Sequence, residues 1–166
     1  MIKNPKELFV ALLSDLRQRE ERTTDVLQEL SDAAKNPDIK EALESRVFLK
    51  NQIMSSLDRC FKLIGEQPVK VNDRLHDIFV EDFRRELNEI QSPIAKSLYV
   101  MAKARQLMQA RIGEYVALTA MADVTGHFGV GVLLESCLAD KLAFIERTRR
   151  LVRNMVENEV AARLAA

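Results

Sequence analysis

The sequence predicts an all-α fold, a bundle of four long helices with a short extra helix in the connection after the second. Three observations carry this reading. Apolar residues recur at three- and four-residue steps over stretches of about thirty residues. Only five glycines and four prolines punctuate the 166 residues, which leaves few places for tight turns. The pairs Asn4-Pro5, Asn36-Pro37 and Ser92-Pro93 each place a capping side chain before a proline, the order that starts a helix. No stretch keeps the two-residue alternation of a half-buried strand.

The first helix is expected over residues 5–34, with Leu8, Phe9, Leu12, Leu13, Leu16, Thr23, Leu27 and Leu30 on its inner stripe. The second opens at Asn36-Pro37-Asp38, where an acidic residue suits the positive helix end. Ile39, Leu43, Val47, Met54, Leu57, Phe61 and Ile64 form its stripe, and Gly65 supplies a left-handed stop. A shorter helix is expected over 72–90 on the strength of Leu75, Ile78, Phe79, Phe83, Leu87 and Ile90. The fourth runs from Pro93 to Gly126 with Ile94, Leu98, Met101, Met108, Ile112, Tyr115 and Ala122 inward. The last covers 128–163 with Leu134, Leu138, Ile145, Thr148, Val152 and Met155 inward. The connection 64–93 carries its own helix, so it can act as a crossover that lets helices two and four run parallel, as in ferritin-like bundles. Residues 1–166 read as one domain.

Composition narrows the partners. Lys and Arg total 25 and Asp and Glu total 25, so the formal net charge is zero. No overall charge drives binding to nucleic acid or an anionic membrane, and neither is expected as a partner. Arg147, Arg149, Arg150 and Arg153 cluster on the last helix and read as a solvated face with nearby glutamates. The opening "MIKNPKELF" lacks the charged-then-apolar order of a signal peptide, and no apolar run reaches membrane-spanning length. A cytoplasmic location is therefore expected. Cys60 and Cys137 show no CxxC spacing and read as buried free thiols.

The informative residues interrupt the stripes. Glu20, Asn51, Arg105 and Lys141 fall on the inward phase of the first, second, fourth and last helices, near mid-span. Buried charge is costly unless it is paired, hydrogen-bonded or metal-bound. Four such residues at similar depth point to one internal polar layer or to a groove that water enters. Long side chains that reach solvent from the core's edge are the plainer alternative.

A di-metal carboxylate bundle needs a Glu from each of two helices and a Glu-x-x-His pair from each of the others. No Glu-x-x-His occurs on any helix here. The only histidines are His76, on the short helix, and His127, in "GHFG"; a solvent-exposed or capping role is expected of both. "GHFGVG", residues 126–131, lacks the strand and the Lys-Ser/Thr ending of a phosphate loop and reads as a helix–helix turn. No nucleophile–base pair is apparent.

The stretches "ELFVALLSDLRQREE", "KNPDIKEALES", "CFKLIGEQP", "IGEYVALTAMADVTG" and "VGVLLESCLADK" together resemble the YciE/YciF-type bacterial ferritin-like proteins over nearly the whole chain. The resemblance implies a ferritin-like bundle, often dimeric. It also implies where metal ligands of relatives would fall. Glu20 matches a ligand of the first helix, whereas Phe48 and Asn51 stand where the second helix carries Glu-x-x-His. Met108, Gln109, Ala110 and Arg111 stand in place of the fourth helix's Glu-His pair and following Glu. Ala139, Asp140 and Lys141 replace a run of glutamates. On this reading only Glu20 and Asp140 remain as donors, while Arg111 and Lys141 bring positive charge to the cation positions.

No catalytic, cofactor or metal site is therefore expected. A Glu20–Lys141 pair in the vacated centre is expected instead, with Asn51 and Gln109 hydrogen-bonding around it. The leading functional expectation is a non-enzymatic bundle, a homodimer that uses spare apolar residues such as Ile53, Val100 and Val132, with a bacterial stress role implied by the resemblance. The alternative is a di-iron or di-manganese oxidase with a degenerate site built from Glu20, Asp140, Glu114 or Glu135. A small-ligand pocket is a third option.

Overall fold

The three cap-and-proline pairs do what their chemistry suggests. In this computed structural model, which describes residues 2–70 and 74–165, the Asn4 side chain accepts from the Glu7 amide at 2.9 Å. The Glu7 carboxylate returns the contact to the Lys3 amide at 2.8 Å. Asn36 accepts from the amides of Asp38 and Ile39, and Ser92 from that of Ala95 at 3.4 Å. Each cap satisfies amides that the first turn leaves without a partner.

The helices that follow are α1 (Pro5–Ala33), α2 (Pro37–Phe48), α3 (Lys50–Ile64), α4 (Arg74–Glu89), α5 (Pro93–Val124) and α6 (Phe128–Leu164). No strand occurs among the described residues. The expected second helix is thus two segments, α2 and α3, divided at Leu49. There ψ is −1° and the amide bonds back to the Arg46 carbonyl at 3.2 Å, three residues away. One tightened turn is the whole interruption, since the Ile53 amide resumes the ladder on the Leu49 carbonyl at 3.0 Å. Gly65 ends α3 at φ +71°, as expected of a left-handed cap. The short helix is α4; its expected first residues, 72 and 73, lie outside the described residues.

Packing follows a closed square. α1 packs on α5 and on α2 and α3, and α6 packs on the same three helices from the opposite corner. α4 lies outside the square, against α5 and α1. Two apolar clusters fill it. One gathers Phe9, Leu13, Leu57, Phe61, Leu118 and Leu134. The other gathers Leu27, Leu30, Leu43, Met101, Met108 and Phe144. Burying these side chains stabilises the fold by about 1.5–3 kcal/mol for each large one.

Some expectations fail here; Leu8, read on the inner stripe of α1, is exposed. Ile53 and Val100, taken as spare surface positions, are 5% and 0% exposed and belong to the two clusters. They lie on the true inner stripes, and of the three residues only Val132 is exposed. On α2 and α3 the buried face runs Ile39, Ala42, Leu43, Arg46, Ile53, Leu57, Cys60, Phe61 and Ile64. That is one position ahead of Val47 and Met54, which are half-buried flankers.

Candidate functional site

The gap between the apolar clusters is filled by polar residues, at one level on every wall of the bundle. On α1 it lies between Leu16 and Val26 and holds Glu20. On α2 and α3 it lies between Leu43 and Ile53 and holds Arg46. On α5 Arg111 follows Met108, and on α6 Lys141 stands between Cys137 and Phe144. Heptad spacing sets this: Lys141 is seven residues after Leu134 and seven before Thr148, on the same inward phase.

Lys141 is fully buried and Glu20 is 4% exposed. The ammonium lies 2.5 Å from Oε1 of Glu20 and 5.0 Å from the centre of the Tyr115 ring. The pair is ionic in contact, although neither atom completes a hydrogen bond of ordinary alignment. Burial holds the Lys141 pKa below the usual lysine value, while Glu20 opposes that shift and the nearby Arg46 adds to it. Tyr115 is pushed well above a normal phenol, chiefly by burial and then by the Glu20 carboxylate. Burial likewise raises the Cys137 thiol, with Lys141 acting the other way. Arg46 is itself buried, its guanidinium 5.9 Å from the Phe144 ring centre.

The expected Glu20–Lys141 pair is therefore present, but its expected surroundings are not. Asn51 and Gln109 are exposed and take no part. Phe48 is 87% exposed and fills no space at the centre. All three follow from the one-position offset on α2 and α3, and from Gln109 lying beyond the buried edge of α5. Arg105 is half-buried and donates to the Ile145 carbonyl at 2.7 Å and the Thr148 hydroxyl at 3.2 Å, so it braces α6 rather than joining the layer. Arg111 is buried as expected, yet its ionic partner is Glu114, at 3.3 Å, which also meets Arg19 at 2.7 Å. Asp140 is half-buried and Glu135 exposed. His127 precedes α6 and stacks on Phe9 at 6.0 Å. His76, expected at the surface, is instead buried at 7% exposure, because α4 presses its first turns onto α1 and α5.

The donors do not suit a pair of metal ions. Hard ions such as iron(II) or manganese(II) each take several oxygen and nitrogen ligands. Among the described residues, no group of three or more His, Cys, Asp and Glu side chains is placed to hold one ion. The layer's two carboxylates, Glu20 and Glu114, already sit on cations. Arg46 escapes a stripe drawn through Val47 and Met54; its place three residues after Leu43 and seven before Ile53 is the available signal.

The surface agrees with a bundle of this type. Arg147 pairs with Glu41 at 2.8 Å, and Arg149 and Arg150 approach Glu146. Cys60 and Cys137 are buried free thiols. Among the described residues, no helix is long and apolar enough to cross a membrane.

Comparisons with known proteins place this geometry. Curated proteins yield no significant match. Among solved structures, YcfI, described as a putative structural protein from Rhodopseudomonas palustris, is 24% identical with a TM-score of 0.85 over 89% of this chain and 94% of its own. The E. coli stress protein YciF is 20% identical with a TM-score of 0.87 over 94% and 99%. A ferritin-like, diiron-carboxylate protein from Bacillus anthracis is 20% identical with a TM-score of 0.66 over 92% and 99%. These likenesses establish the ferritin-like fold. The family described as DUF892, a domain of unknown function, matches residues 4–163. The chain therefore belongs to the DUF892 family, the ferritin-like proteins of YciE/YciF type.

Proposed function

We propose that this protein is a ferritin-like bundle that works without a metal centre, as a structural or interaction module rather than an enzyme. The observation behind the proposal is the Lys141 ammonium lying 2.5 Å from the Glu20 carboxylate at the level where the two apolar clusters meet. A cation already neutralises that carboxylate, and a second cation there would meet Lys141 and Arg46 at close range. Self-association into a homodimer is part of the proposal. Phe128 and Val132 lie one turn apart on α6 and are 67% and 66% exposed, an apolar pair suited to a partner surface. The setting we carry over from the family is the bacterial cytoplasm and its stress response.

Elemental analysis of protein purified from cells grown with added iron and manganese tests this reading. Only trace metal is expected. Near-stoichiometric iron or manganese would overturn it in favour of a degenerate oxidase centre. Sedimentation at micromolar concentration tests the dimer, and a monomer there would remove that part of the proposal.

A further inference from the structure

The outward face of α6 carries a heptad stripe of its own, apart from the one that faces the core. It starts at Phe128, advances by alternating steps of four and three to Val160, and every position on it is exposed. That spacing keeps a stripe on one side of a helix and is the seam along which two helices pack. The stripe is about 48 Å long, since each helical residue advances ~1.5 Å. Phe128 and Val132 hold one end, Val156 and Val160 the other, and Leu142 stands near the middle; these five are between 43% and 67% exposed. α5, α3 and α2 occupy the other sides of α6. Two charges on the stripe, Glu135 and Arg153, form no ion pair among the described residues, whereas Arg149 lies 3.8 Å from Glu146.

We infer that α6 packs antiparallel on α6 of a second copy along this stripe, about a two-fold axis level with Phe144. The inference rests on the homodimer reading above and supplies its surface and register. A two-fold interface is self-complementary, so each residue before the axis meets the partner residue equally far beyond it. Here Phe128 meets the partner's Val160, Val132 meets the partner's Val156, and Glu135 meets the partner's Arg153. Apolar ends thus cover apolar ends, and the two unpaired charges find opposite charge, each contact occurring twice. Other arrangements lose this match. A parallel pairing sets Glu135 on the partner's Glu135 and Arg153 on the partner's Arg153, and like charges across an interface are costly. An antiparallel slip of one heptad sets Phe128 on the partner's Arg153 and Glu135 on the partner's Glu146. The opposite slip sets Glu135 on the partner's Val160.

Sedimentation of the full-length protein over a range of concentrations tests it, with Glu135→Arg, Arg153→Glu and the double variant compared with wild type. Both positions are exposed, so the variants keep the fold, which circular dichroism checks. Each single change sets like charges opposite each other at both copies of the contact and is expected to raise the dimer Kd roughly tenfold or more. The double variant exchanges the charges, restores opposite signs across the axis and is expected to return the Kd to within about threefold of wild type. If wild type is a dimer and the single changes leave its Kd unchanged, or the double variant is no tighter than the singles, this surface and register are overturned while the homodimer reading stands. A wild type that stays monomeric throughout overturns both.

Discussion

Lys141 and Cys60 show burial outweighing neighbouring charge in shifting ordinary side chains. Burial pushes the Cys60 thiol up from 9.0 to about 12. The folded protein therefore keeps a proton that the unfolded chain releases near pH 9. The sign follows: this contribution is full below pH 9 and is lost as pH climbs toward 12. Lys141 acts in the opposite sense, because its folded pKa is depressed and the unfolded lysine holds its proton more tightly. The two effects separate by substitution. Between about pH 8 and pH 10 the urea-unfolding free energy of Cys60→Ala should fall less than that of wild type, by about 1 kcal/mol. A parallel pH profile in the two proteins would place the thiol in a more solvated site than its zero exposure implies.

Helix ends and helix middles use the same residue to opposite effect. Gly65 ends α3 at φ +71°, and a Cβ there would meet nothing within 4 Å. The cost of Gly65→Ala is therefore one of backbone alone, about 1–2 kcal/mol. Gly113 lies inside α5 with ordinary helical backbone and equally open space. Gly113→Ala should stabilise by about 0.5–1 kcal/mol. Chemical denaturation of both variants checks the opposite signs. At this scale the caps and stops were legible in the sequence, because Asn4, Asn36, Ser92 and Gly65 act locally, on amides a few residues away. The middle of the α2–α3 face was not, although Ile39, Leu43, Leu57, Phe61 and Ile64 are buried as read. Its stripe passes through Arg46, and a periodicity that counts only apolar residues steps over a charged one and settles a position late. That single offset moved Asn51 and Phe48 inward on paper and sent Ile53 to the surface. The break at Leu49 left no mark in composition, since neither glycine nor proline makes it.

At the scale of the molecule, two apolar clusters are joined by a layer of charge, and the layer's content depends on which residues the four walls bring together. Glu20 and Lys141 were legible as a pair because each interrupts an otherwise regular stripe at mid-helix. Tyr115 was legible as an inward residue of its stripe, whereas Arg46 and the Arg19–Glu114 contact, which joins α1 to α5, were not. Glu20 and Lys141 neutralise each other's charge inside a closed core. A double-mutant cycle with Glu20→Leu, Lys141→Met and the double variant, read by chemical denaturation, tests it directly. Each single change strands a buried charge and should cost about 3–5 kcal/mol, whereas the double variant, with neither charge, should cost far less than the sum. Additive losses, to within about 0.5 kcal/mol, would contradict the claim and show that the two side chains do not depend on each other.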